Sequence, residues 1–138
     1  MLIKIKRKYT NKFKFELTDE CYDDIVIEVA IALLEHIVEN NEIIQYGELA
    51  NLLSIPMNPR NLDRPLGCIS EACIENGLPP VSVMVVNKDT YMPGVGFFKY
   101  FYPGLKKDQW DEKFIELYNE VKSYSHWDKV LDVFYDNQ

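Results

Sequence analysis

The chain has 138 residues, 47% of them apolar, with 15 basic and 22 acidic residues and a formal charge of −7. That length is one domain's worth, and the apolar content supports a core of ordinary size. No apolar run reaches the roughly 20 residues of a membrane span, because Glu28, Glu35 and His36 interrupt 25–38. The basic start also lacks the apolar stretch and cleavage site of a secretory signal, so a cytoplasmic protein with no membrane partner is expected.

Charge is unevenly spread: of the 15 Lys and Arg, six fall in the first 14 residues, leaving nine against all 22 acids. A body this acidic repels nucleic acid unless its cations are focused on one face. Cys21, Cys68 and Cys73 are odd in number and have no C-x-x-C spacing, which indicates neither a disulfide framework nor a zinc site. His36 and His126 fall in no ligand pattern, so neither a metal nor another cofactor is expected.

In chain order, apolar and basic residues alternate over 1–17 through Ile3, Ile5, Phe13 and Phe15, with Thr10 and Asn11 between. This is the period of a β-hairpin or a bent edge strand. Its lysines fit edge protection against aggregation, or contact with an acidic partner. Thr18 then starts a helix expected to run to Asn40, with Ile25, Val29, Leu33 and Ile37 at helical spacing and Val26, Ala30, Leu34 and Val38 widening the stripe. A second helix is expected over 46–54, with Leu49, Ala50, Leu52 and Leu53 inward. Pro56 and Pro59 define a turn, and Asn61 is expected to cap a third helix whose first turn holds Arg64 and Pro65. Leu62, Leu66, Ile69 and Cys73 form its buried stripe, Gly77 stops it, and Arg64, Gly67, Cys68, Glu71 and Glu75 take the other face.

Beyond Pro80, the apolar run 81–87 reads as a buried strand, with Lys88, Asp89 and Thr90 as its turn. Pro93, Gly94 and Gly96 give loop or hairpin chemistry. No Gly-rich segment joins a strand to a helix start, which excludes dinucleotide and P-loop sites. Phe97, Phe98, Tyr100, Phe101 and Tyr102 form an aromatic cluster that fills a core or stacks on a base. Two further helices are expected over 107–124 and 127–135, each with an acidic outer face.

A helix, a turn, a cation-headed second helix and a β-hairpin in that order make a winged helix-turn-helix. The expected fold is therefore α+β, one domain over 1–138. It divides into a basic strand or hairpin (1–17), a winged-helix core (18–104) with 81–98 as its wing, and a C-terminal helical extension (105–138). Nucleic-acid contacts are expected from Tyr46, Arg60, Arg64, Gly67, Cys68 and Lys88, and a pocket from Tyr91, Phe97 and Phe98.

The span 43–98 resembles the DNA-binding half of the alkylguanine-DNA alkyltransferases and of the catalytically silent alkyltransferase-like proteins. Tyr46, Gly47, Glu48, Leu49 and Ala50 match the family's Tyr-Gly-x-[Ile/Leu]-Ala. Arg64, Pro65, Leu66 and Gly67 are similar to its Arg-x-Val-Gly, and 80–86 occupies the place of its Pro-Cys-His-Arg-Val-Val. Pro93 to Phe98 and Trp110 look like counterparts of its Gly-rich loop and following helix. The resemblance covers about two fifths of the chain, and the loop around Asn58, Pro59 and Arg60 is longer than the family's. It implies that Tyr46 contacts a backbone phosphate and that Arg64 enters the base stack where a nucleotide is extruded.

The departure from the family pattern governs the chemistry. Positions 81–84 hold no Cys, His or Arg, so the acceptor thiol and its activating base are absent and alkyl transfer is not expected. Adjacent acid pairs such as Asp23 and Asp24 diverge by about 100° on a helix, and Ser54, Ser70 and Ser82 lack a partner His. The expectation is a non-enzymatic module that binds nucleic acid, DNA ahead of RNA. The alternative is an accessory subunit or phage-type inhibitor that presents its acidic surface to a nucleic-acid-processing protein.

Overall fold

The computed structural model describes residues 13–55 and 57–138. In chain order the elements are α1 (Asp24–Asn40), β1 (Ile44–Gln45), α2 (Tyr46–Asn51), α3 (Asp63–Glu75), β2 (Val85–Val86), α4 (Val95–Phe101), α5 (Trp110–Ser123) and α6 (Trp127–Asp136). The chain is mostly helical around a small parallel sheet, within the broad α+β class.

Helix α1 is the central element, and it starts later than its sequence pattern implies. Asp23 caps it, accepting from the amides of Ile25 at 2.9 Å and Val26 at 3.2 Å. The Thr18 hydroxyl lies instead 3.2 Å from Cys21 Sγ, and Asp19–Cys21 is a separate 3-10 turn. Val26, Val29, Ala30, Leu33, Leu34 and Ile37 are buried, whereas Ile25 and Val38 are 43% and 44% exposed. A 3.6-residue period sends those two beyond the edges of the stripe. Asn41 ends the helix in the left-handed region at φ 48°.

Helix α2 begins with the Gln45 amide donating to Glu48 Oε1 at 3.0 Å, which satisfies one of the amides at the start of the helix. It ends at Asn51, so Leu52 is 58% exposed and Leu53 half-buried rather than both facing inward. Asn58, not Asn61, makes the next cap: its Oδ1 accepts the Arg60 amide at 3.0 Å and begins a 3-10 turn, Pro59–Leu62, that runs straight into α3. Leu62, Leu66, Ile69 and Cys73 are buried as the sequence implies. Gly77 adopts φ +77° just past the helix, a conformation glycine takes without strain.

The expected wing is where the fold departs most from the sequence reading. Val81–Met84 is a buried 3-10 turn, and only Val85 and Val86 extend as a strand. They pair in parallel with β1, Ile44 beside Val85 and Gln45 beside Val86. The 88–90 turn is closed by Tyr91 N–H donating to Asn87 O at 2.8 Å and Asn87 N–H to Met92 O at 2.9 Å. The chain then enters α4, so no β-hairpin spans 81–98. An unbroken apolar run suits a parallel strand buried on both faces, and the 39 residues separating Gln45 from Val85 supply the long crossover that parallel pairing needs.

The C-terminal helices belong to the same core rather than extending it. Trp127, Val130, Val133 and Phe134 are buried, and α6 packs along α1. The Trp127 indole donates to Val121 O at 2.8 Å, tying α6 to the end of α5. Phe15 is buried 6.4 Å from the Phe134 ring, and the backbone at Glu16 exchanges hydrogen bonds with the Asn76 amide at 2.9 and 2.7 Å. Of the expected N-terminal strand, 1–12 lies outside the described residues, and 13–17 is irregular with Phe15 and Leu17 buried. Among the described residues no helix is long and apolar enough to cross a membrane.

Candidate functional site

A cavity of about 500 Å³ opens where the start of α2, the exposed side of α3, the 81–84 turn and α4 meet. Tyr46, Arg64, Gly67, Cys68 and Phe97, separated by up to 51 residues in the chain, all line it. The parallel pairing of β1 with β2 contributes to this, because it sets the start of α2, which follows Gln45, beside the chain that leaves Val86 toward α4. Leu66, Phe101 and Tyr100 complete its apolar walls, Ser82 lines it from the turn, and Glu20, Asp63 and Glu71 bring carboxylates to it.

Tyr46 is held by the loop before α4: its hydroxyl oxygen accepts the Gly94 amide at 3.2 Å. A Cβ at Gly94 would sit 3.3 Å from that oxygen, so this contact requires a glycine or a small displacement of the ring. Burial raises the Tyr46 phenol above its ordinary value, the Gly94 amide opposes the shift and the Asp63 charge adds to it. The group therefore stays a neutral donor at physiological pH.

Arg64 is 60% exposed, with Nη2 3.7 Å from Asp23 Oδ1. An exposed pair of this kind contributes about 0–1 kcal/mol, so it restrains the guanidinium only weakly. The Tyr100 hydroxyl donates to Glu71 Oε2 at 3.1 Å, and that bond raises the Tyr100 phenol. Burial raises the Asp63 carboxyl. Burial also raises the Cys68 thiol, against a smaller opposing effect of Arg64, so the cavity holds no activated thiolate.

Other residues singled out from the sequence lie elsewhere. Phe98 is 1% exposed and stacks on Trp110 at 4.9 Å with ring planes 7° apart, so it belongs to the core. Phe97, one position earlier on α4, turns to the cavity, with Phe101 packed 5.4 Å away one helical turn on. Tyr91 is 55% exposed in the loop at φ 53°, and Lys88 and Arg60 are exposed on turns outside the cavity. The cations of 1–12 lie outside the described residues, and Arg64 stands among acids. His36 is a structural residue, its Nε2 3.0 Å from Glu42 O.

Sequence reasoning missed Ser82, Glu20 and Asp63 as cavity residues. Tyr100 and Phe101 were visible only as members of an aromatic cluster. Ser82 gave no local signal because its partner, Ser70, is 12 residues away on another element. Among the described residues, no group of three or more His, Cys, Asp or Glu side chains is placed to hold a metal ion. No family model, curated protein or solved structure matches the chain.

Proposed function

We propose that this chain is a non-catalytic, winged-helix-related module that binds nucleic acid by taking one unpaired base into the cavity between α3 and α4. The observation that carries this reading is the convergence of Tyr46, Arg64, Gly67, Cys68 and Phe97 on a single cavity. Its volume of about 500 Å³ falls within the range of small-molecule sites. Leu66, Phe97 and Phe101 offer apolar surface to a planar ring, and an aromatic contact with a base contributes about 1–3 kcal/mol. Arg64, exposed beside the cavity, is the cation available to a phosphate or to the space that an extruded base leaves. DNA rather than RNA follows from the likeness to alkyltransferase-like proteins, and the raised thiols fit a module that does not accept alkyl groups.

The acids around Arg64 set the expected strength. With Arg64 and Arg60 as the phosphate contacts of this reading, the logarithm of affinity should fall with the logarithm of salt with a slope of about −2. Fluorescence anisotropy with single-stranded, duplex and mismatched oligonucleotides across a salt series tests this. Arg64→Ala should lower affinity about tenfold, as expected for one charge-assisted contact. Failure to bind any of these strands at low salt would sink the proposal.

One observation favours a second reading. Glu16, Asp19, Glu20, Glu71 and Glu75 line a concavity of about 360 Å³ that shares Glu20 and Glu71 with the cavity. Such a surface suits a basic segment of a nucleic-acid-processing protein. The two readings predict opposite responses to Glu75→Lys: stronger nucleic-acid binding in the first, loss of the basic partner in the second.

A further inference from the structure

The cavity carries more negative charge than its own cation offsets. Glu20, Asp63 and Glu71 line it, and among the described residues Arg64 is the one cationic side chain that does so. Arg64 turns to Asp23, with Nη2 3.7 Å from Oδ1. None of the three cavity carboxylates forms an ion pair among the described residues. Glu71 is half-buried and held in place by the Tyr100 hydroxyl, which donates to its Oε2 at 3.1 Å. Burial raises the Asp63 carboxyl, the mark of an acid drawn partly out of water with no cation to hold its charge. The same cavity offers the rings of Phe97 and Phe101, with centroids 5.4 Å apart, and those of Tyr46 and Tyr100. Aromatic faces and unpaired carboxylates attract the same kind of group, a cation with apolar surface.

We infer that this cavity selects bases that are themselves cationic, those alkylated on a ring nitrogen. Alkylation of adenine or cytosine there ties up a ring lone pair and spreads a positive charge over the ring. The exocyclic amino group becomes part of that cation and donates to a carboxylate as a charge-assisted hydrogen bond. A neutral base gains the aromatic contact but not the attraction of the acids. The hydroxyls of Tyr46 and Ser82 both donate and accept, so they admit either polar edge and the discrimination falls to charge. A lysine or arginine side chain of a protein partner brings the same charge on a narrow stem. A ring instead covers the apolar walls of a cavity of about 500 Å³ and leaves the exposed Arg64 to the neighbouring phosphate. This inference rests on the reading of the cavity as a base site and adds which bases it prefers.

The test uses the full chain and two matched pairs of single-stranded oligonucleotides whose central bases are isomers of equal size. One pair sets 1-methyladenine against adenine methylated on its amino group, the other 3-methylcytosine against 5-methylcytosine. At mildly acidic pH the first of each pair is cationic and the second neutral. The cationic strand should bind about tenfold more tightly, and the ratio should shrink as salt rises. Glu71→Gln keeps the acceptor for Tyr100 and the shape of the side chain. Combined with Glu20→Gln and Asp63→Asn, it should bring each pair to within about threefold by weakening the cationic strand and not the neutral one, which a loss of fold cannot imitate. Equal binding of the two strands by the wild-type chain overturns the inference while leaving base binding intact, and so does a preference that the triple variant leaves undiminished. The free methylated nucleosides and N-acetylarginine amide are titrated in parallel, with the Gly67 and Gly94 amides followed by NMR. If no strand binds but 1-methyladenosine shifts these amides where its neutral isomer does not, nucleic-acid binding fails and the cationic preference stands. Tighter binding of the arginine amide than of either cationic nucleoside overturns the inference in favour of a basic protein segment. If neither strands nor nucleosides bind, both fall.

Discussion

A single helical step decides what a side chain does here, and neighbouring residues take opposite roles. Phe97 and Phe98 are adjacent on α4, yet one lines the cavity and the other lies flat on Trp110 in the core. A rotation of about 100° per residue produces that split, and it is invisible when the segment is read as a hairpin. Tyr46, Arg64, Gly67 and Cys68 were legible because each sits near a helix start whose signals are local. The three thiols differ in the same position-dependent way. Cys21 and Cys73 are buried, and burial pushes the Cys73 thiol up to about 12, whereas Cys68 is half-buried on the cavity wall. A raised thiol pKa leaves less thiolate at a given pH and slows alkylation. At pH 8, iodoacetamide should modify Cys68 alone in the native protein, slowly, and reach Cys21 and Cys73 only in denaturant. Peptide mass spectrometry reads this directly. Equal native labelling of all three cysteines would contradict the burial, and a base bound in the cavity should slow the labelling of Cys68.

At the scale of elements, the helices were legible and the wing was not. A 3.6-residue apolar period marks α1, α3, α5 and α6 from within their own sequences. The two-residue strands β1 and β2 have no such period, and their parallel pairing joins positions 44 and 85, which no local pattern reports. The start of α1 shows how an element's end reaches into the site. Asp23 both caps α1 and stands 3.7 Å from the Arg64 guanidinium. Cap and ion pair can be separated, because asparagine caps as well as aspartate but carries no charge. Asp23→Ala should cost about 1 kcal/mol in chemical denaturation, and Asp23→Asn no more than about 0.5 kcal/mol. Both remove the charge beside Arg64, and oligonucleotide affinity should rise about two- to fivefold, since an exposed pair is worth at most about 1 kcal/mol. Unchanged affinity in the asparagine variant would show that Asp23 does not restrain Arg64.

The whole molecule holds its site through one core, and the part that sequence reading set apart as an extension is central to it. Helix α6 packs on α1, and α1 packs in turn on α3, whose residues line the cavity. Phe134 is fully buried in α6, in ring contact with Phe15 and within the cluster that also contains Leu33, Ile69 and Val121. Removing a buried aromatic ring of this kind costs about 3–5 kcal/mol, against a total stability of about 5–15 kcal/mol for a domain. Phe134→Ala should therefore lower the urea midpoint steeply although the residue does not line the cavity, whereas Arg64→Ala, at an exposed position, should move it little. The decisive comparison is between probes. In both variants the loss of Cys68 protection should coincide with the loss of far-UV circular dichroism, because a cavity built from α2, α3 and α4 cannot outlast the core beneath it. If 105–138 were a separable layer, Phe134→Ala would unfold the C-terminal helices first and leave Cys68 protected at higher urea. Two separated transitions would assign the site to an independent 18–104 unit, and a single one makes the helices around α1 a condition of the cavity's existence.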